Sequence, residues 1–221
     1  MAPIHDAARD GDTEALRREL ERGVSPDAPD EITSQWPPLS LAVANKHADC
    51  VRLLLQTGAD PNVNREPGTT DRFTALHAAA FMTAYSDRAF EIIRLLLEAG
   101  ASVNLRTVIN GWSRSGWTAM DYAYGNDLRV YPLLLRAGSE LPTVRIGQQP
   151  LSENRYFSRI LDAGSFKAYE RAHLEALAKT LSPKLTHLLP PELVRKVVEF
   201  YLHAGFYPFT AAKAPATAPA A

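Results

Sequence analysis

Apolar residues along this chain gather in pairs of short runs that return at a nearly constant spacing. In "TALHAAA" (74–80) they are mostly small and stand at helical intervals; in "RLLLEAG" (94–100) they are bulky and adjacent. Laying the chain on itself aligns four segments, beginning at Ala2, Pro37, Thr74 and Thr118. Their leading apolar residues are Ile4, Leu39, Leu76 and Met120, separated by 35, 37 and 44 residues. Self-similarity at such a period marks an architecture in which each unit packs chiefly on its neighbours.

Each unit predicts two helices. The first is short and rich in small side chains (Ala7 and Ala8, Ala42 and Ala44, Ala78 to Ala80), which lets neighbouring helices approach closely. The second carries a leucine block: Leu53 to Leu55, Leu95 to Leu97, Leu133 to Leu135. A glycine follows in every unit, at Gly23, Gly58, Gly100 and Gly138, where a left-handed backbone closes a helix. A polar, extended connection leads on.

These residues resemble the ankyrin repeat. "TALHAAA" (74–80) with "RLLLEAGASVN" (94–104), and "VRLLLQTGADPNVN" (51–64), carry the likeness, and they recur in phase over about residues 2–142. The resemblance implies an all-α solenoid of about four helix–turn–helix units with β-hairpin fingers, binding protein partners on the concave face that fingers and first helices form.

The fingers lengthen along the chain. From closing glycine to next leading apolar residue the gaps are 16, 18 and 20 residues, and "TAYSD" (83–87) is inserted between the helices of the third unit. Loops that grow on one side of a solenoid mark a working face. Trp36, Phe73 and Trp117 each lie three residues before a leading apolar residue, so stacking predicts an aromatic ladder. Covering the adjacent hairpin backbone is the alternative role for Phe73 and Trp117. Trp112 and Arg114, in "NGWSRSGW" (110–117), fall in an inserted tip with no counterpart in other units. Trp and Arg dominate binding hot spots, which makes this tip a contact candidate. Phe81 and Met82 are large and apolar on the first helix; they serve either as a partner anchor or as packing for the insertion with Tyr85. Finger charges are mixed: Arg65, Arg72, Arg106 and Arg114 stand among Asp30, Glu31, Glu66 and Asp71. The candidate contact set is Trp36, Arg72, Phe73, Phe81, Met82, Arg106, Trp112, Arg114 and Trp117.

Composition narrows the function. Twenty-four basic residues against 25 acidic ones give a net charge of −1, without the field or continuous basic stripe that nucleic-acid binding needs. The lone Cys50 has no partner for an internal disulfide, which suits a reducing compartment. Neither a secretory leader nor an apolar run of about 18 residues stands out. Phosphate-binding glycine loops, H-E-x-x-H and C-x-x-C are absent. His5 and His77 take equivalent positions; the repeat resemblance implies that such a histidine bonds to backbone in the turn.

From Pro150 the pattern changes. "LSENRYFSRILDAGSFKAYERAHLEALAKTL" (151–181) predicts two helices, or one broken at Gly164-Ser165, with Ser152 followed by Asn154 offering the N-cap region. Tyr156, Phe157, Ile160 and Leu161 form an apolar face, continued by Tyr169, Leu174, Leu177 and Leu181. A third helix is expected after Pro190-Pro191, with Leu193, Val194, Val197, Val198, Tyr201 and Leu202 on one face and Gly205 at its end. These helices suit a cap over the exposed end of the stack. "LPPELVRKVVEFYL" (189–202) also resembles the first helix of an F-box, and an apolar tail after such repeats is similar to the SOCS box arrangement. Either resemblance implies a substrate-receptor subunit of a ubiquitin ligase as the alternative to a cap.

The reading is an ankyrin-type array over 1–142, a helical cap or extension over 150–207, and a disordered Ala/Pro-rich end over 208–221. It expects a non-enzymatic scaffold or adaptor, monomeric and cytoplasmic with the nucleus open. The expected partner is another protein rather than a membrane or nucleic acid. No catalytic residue, cofactor or metal is expected.

Overall fold

The computed structural model describes residues 3–29, 36–64, 72–83, 87–108, 115–124, 129–143, 150–185, 189, 190, 193 and 196. Among them the chain is helical, with isolated β-bridges between the helix pairs. It divides into two compact units, Met1–Thr143 and Val144–Ala221.

The first unit holds four helix pairs: α1 (Pro3–Asp10) with α2 (Thr13–Glu21), α3 (Pro38–Ala44) with α4 (Ala48–Gln56), α5 (Ala75–Met82) with α6 (Asp87–Glu98), and α7 (Ala119–Ala123) with α8 (Val130–Arg136). First helices stack in the order α1, α3, α5, α7, and second helices in the order α2, α4, α6. Alanine three residues after the lead position explains the close stacking. Ala7, Ala42, Ala79 and Ala123 are all buried, and a longer side chain at any of them would hold the helices apart. The second helices supply bulk: Leu54, Leu96 and Leu134 are fully enclosed. Each contributes roughly 1.5–3 kcal/mol of transfer free energy.

Start and stop signals are local. Pro38 opens α3, where a missing N–H is harmless. Thr74 and Thr118 cap α5 and α7 through reciprocal boxes with His77 and Asp121. At the other end Gly23, Gly58, Gly100 and Gly138 all have φ between 85° and 96°. The residue after each returns its N–H to the last turn: Val24 to Glu19, Ala59 to Leu54, Ala101 to Leu96, Ser139 to Leu134. That is the Schellman closure the glycines predicted. Lys46 takes the left-handed backbone (φ 63°) that Gly11 takes in the first pair.

One device ties the pairs together outside the core. Four residues after each closing glycine stands Asp27, Asn62 or Asn104, whose side chain accepts the N–H of Asp60, Ser102 or Glu140 in the next pair. An Asx oxygen therefore links each pair to its successor at the same register.

In the second unit, α9 (Arg155–Asp162) and α10 (Phe166–Leu185) pack together. Asn154 caps α9 by accepting from the amides of Tyr156 and Phe157. The break falls at Gly164, φ 77°. Phe157 and Ile160 are buried as the apolar face requires, whereas Leu161 is 46% exposed and lies off that face. Tyr156 meets Phe157 and Tyr169, and Tyr169 stacks on His173. Leu193 is exposed. Most of the helix expected after Pro190, and the segment 208–221, lie outside the described residues.

Candidate functional site

The finger side is assembled by main-chain pairing. Asn64 bridges Thr74 within the second finger. Arg72 and Val108 exchange N–H···O bonds of 2.6 and 3.1 Å, joining the second finger to the third. Thr107 then closes the third finger on itself: its N–H donates to the Trp117 carbonyl (2.8 Å), and its hydroxyl oxygen accepts the Trp117 N–H (3.0 Å). The segments before α5 and α7 are thus carried side by side.

This pairing gathers aromatic rings around Tyr122 on α7. Its ring lies 5.1 Å from Trp117, 5.8 Å from Phe73, 5.9 Å from His77 and 6.3 Å from Phe81, with Phe73, His77 and Phe81 edge-on. Such contacts contribute about 0.5–1.5 kcal/mol each beyond area burial. Tyr122 is 5% exposed, Phe73 and Trp117 are half-buried, and Phe81 is 38% exposed. The expected ladder is therefore a cluster with a hub: Phe73 and Trp117 meet on Tyr122, which the sequence reading did not single out. The available signal was substitution within the register. Tyr122 stands where the other pairs carry Asp6, Leu41 and Ala78.

Other expected positions fall around this cluster or away from it. Arg72 is exposed beside Phe73, and Met82 is half-buried at the end of α5. Trp36 is half-buried just before Pro37, in the second pair. Arg106 is engaged within the fold, donating to Glu140 at 2.7 Å and to the Gly116 carbonyl at 3.2 Å. Trp112 and Arg114 lie outside the described residues.

The titratable groups nearby are structural in their setting. His77 accepts the Thr74 N–H at Nδ1 (3.1 Å) and donates from Nε2 to the Leu105 carbonyl (2.8 Å). Burial lowers its pKa from 6.5 to about 4, so the ring is neutral. His5 makes the matching bond to the Ala28 carbonyl at 2.8 Å. Cys50 is buried with its thiol 3.6 Å from the Thr13 hydroxyl, and burial pushes its pKa up, the reverse of what an activated thiolate needs. Among the described residues no cluster of three or more His, Cys, Asp or Glu is placed to hold a metal. No helix there is long and apolar enough to cross a membrane.

Paired helices, glycine closures and bridged fingers define a helical repeat solenoid. Residues 4–107 match the family described as "Ankyrin repeats (3 copies)", and this part of the chain is an array of ankyrin repeats. The fourth helix pair lies beyond the matched residues and keeps the register through Met120, Ala123 and Gly138. The chain is 35% identical over 162 residues to Ankyrin repeat and SOCS box protein 3 of Bos taurus, covering 60% of this chain and 29% of that protein. It is 38% identical over 104 residues to Ankyrin repeat and SOCS box protein 16 of Homo sapiens, covering 47% and 20%. It is also 28% identical over 156 residues to a mitochondrial disaggregase of Bos taurus, covering 70% and 21%. The chain thus spans less than a third of the length of these curated relatives. Ankyrin repeats mediate protein–protein interaction.

Proposed function

We propose that this chain is a non-enzymatic interaction scaffold that grips another protein on the finger side of its third and fourth repeats. The observation that supports the reading is the ring cluster on Tyr122, where Phe81 remains exposed, with Arg72 exposed next to Phe73 in the same finger. Exposed aromatic and Arg side chains on one face are the residue types in which binding hot spots are enriched. Phe73, Met82 and Trp117 build the surrounding surface, Trp36 extends it toward the second repeat, and Arg106 sets the third finger through Glu140. Trp112 and Arg114 complete the contact set from the inserted tip. The cytoplasm or nucleus is the proposed compartment, the protein acting there as a monomer.

The test is capture of the partner from native lysate, followed by titration against Phe81→Ala combined with Arg72→Ala. Affinity should fall at least tenfold, about 1.4 kcal/mol, while the melting temperature stays within a few degrees. Unchanged affinity would rule out the surface. Trp112→Ala with Arg114→Ala tests the finger tip in the same titration.

The relatives named for a SOCS box favour a second reading, in which the repeats hold a substrate and the segment after Pro150 docks a ubiquitin ligase core. Deleting 150–221 separates the two. A truncated chain that stays folded and keeps its first partner supports docking; one that unfolds or aggregates supports a cap.

A further inference from the structure

One register position, immediately after the lead residue, reads His5, Ser40, His77 and Asp121 along the four repeats. His5 and His77 each donate from Nε2 to a main-chain carbonyl in their own repeat, at Ala28 and Leu105. Both acceptors lie five residues beyond the closing glycine. Thr143 lies five residues beyond Gly138, so it occupies the same place in the fourth repeat. There the bond persists with donor and acceptor exchanged: the Thr143 amide donates to Oδ1 of Asp121.

The exchange follows from side-chain chemistry. A neutral imidazole has one acceptor and one donor, enough for the cap N–H on one side and a carbonyl on the other. A carboxylate only accepts. Asp121 Oδ2 takes the Thr118 N–H at 2.7 Å and the Thr118 hydroxyl at 2.9 Å, leaving Oδ1 to receive the amide of Thr143. Asp121 is 3% exposed, so an unfilled acceptor oxygen there would be a buried polar atom short of a donor. Bonds to an ionised acceptor are also the stronger kind. The first and third repeats make this link with an imidazole donor, and the fourth makes it with a carboxylate acceptor.

We infer that Asp121 is a positioning residue that clamps the chain at Thr143 as it leaves the fourth helix pair. The same carboxylate fixes the start of α7 through Thr118. Trp117 and Tyr122 flank these two residues, so the clamp also sets the base on which the rings gather. The inference rests on the hydrogen-bond geometry and stands apart from the reading of the finger side as a binding surface.

Amide hydrogen exchange by NMR on the full chain tests it, using Asp121→Asn and Asp121→His. The Asn variant loses one acceptor oxygen and turns an NH2 toward existing donors. The His variant restores the imidazole of the other repeats, keeps the Thr118 cap and moves the link to the Thr143 carbonyl. In both variants the Thr143 amide should exchange at least tenfold faster, while the amides of Leu54 and Leu96 stay within twofold of wild type. Unchanged Thr143 protection in the folded His variant overturns the inference. So does a loss of protection spread evenly over all four repeats.

Discussion

The first two repeats and the last two share one core and differ on the finger side. Leu54 in the second repeat, Leu96 in the third and Leu134 in the fourth are equally enclosed, and the buried alanine recurs in every first helix. Yet the rings gathered on Tyr122 all belong to the third and fourth repeats. Two residues past the lead position, Asp6 and Leu41 give way to Ala78 and Tyr122. Stacking constrains the second-helix face and the alanine stripe, because each must match the neighbour on either side. The finger side answers to no such matching, so individual repeats can depart there without disturbing the stack.

A uniform core should respond uniformly. Leu54→Ala and Leu96→Ala should each cost about 4 kcal/mol, measured as denaturant midpoints of the full chain. Values far apart would break the comparison, showing that one half of the array carries the other.

The imidazole of the third repeat should impose a pH dependence that the second, with Ser40, lacks. The folded-state pKa of His77 is lowered to about 4 from 6.5, so the unfolded chain binds the proton first as pH falls. Stability from this group is complete above about pH 6.5 and drains away toward pH 4, by about 3 kcal/mol in all. Thermal unfolding across that range should show the loss, and His77→Gln should flatten it.

The smallest effect belongs to the first two repeats. Lys46 holds a left-handed backbone that costs an ordinary residue about 1–2 kcal/mol, partly offset by the entropy a glycine would lose. Lys46→Gly should therefore raise stability by about 0.5 kcal/mol. A loss would mean that the Lys46 side chain makes contacts worth more than the strain. Gly11 admits no such freedom, since an added Cβ would meet the His47 ring at 2.6 Å.

Much of the stack was legible in the residues because its determinants are local and periodic. The closing glycines and Asn154 act within a turn of their own position, and the alanines and leucine blocks recur in phase from repeat to repeat. The finger side was read less completely. The spacing makes Phe73 and Trp117 equivalent, but their meeting point is Tyr122, a lone substitution that becomes visible only when neighbouring repeats are compared position by position. The sequence places Arg106 among the mixed finger charges and the candidate contacts, whereas its partner Glu140 lies in the next repeat, 34 residues along. The Asx links are present as a pattern, in "SPDA", "DPNV" and "SVNL", but their target is a main-chain amide in the next repeat, which no side-chain pattern marks.

Those links bear on how such a chain changes length. Asp27, Asn62 and Asn104 each grasp the unit that follows and nothing farther, and the amide they grasp stands at one fixed place in every unit. A duplicated or excised unit would therefore find a matching hand on both sides. Growth or shortening by whole modules needs no compensating substitution along this edge, while an insertion of any other size must be confined to a loop.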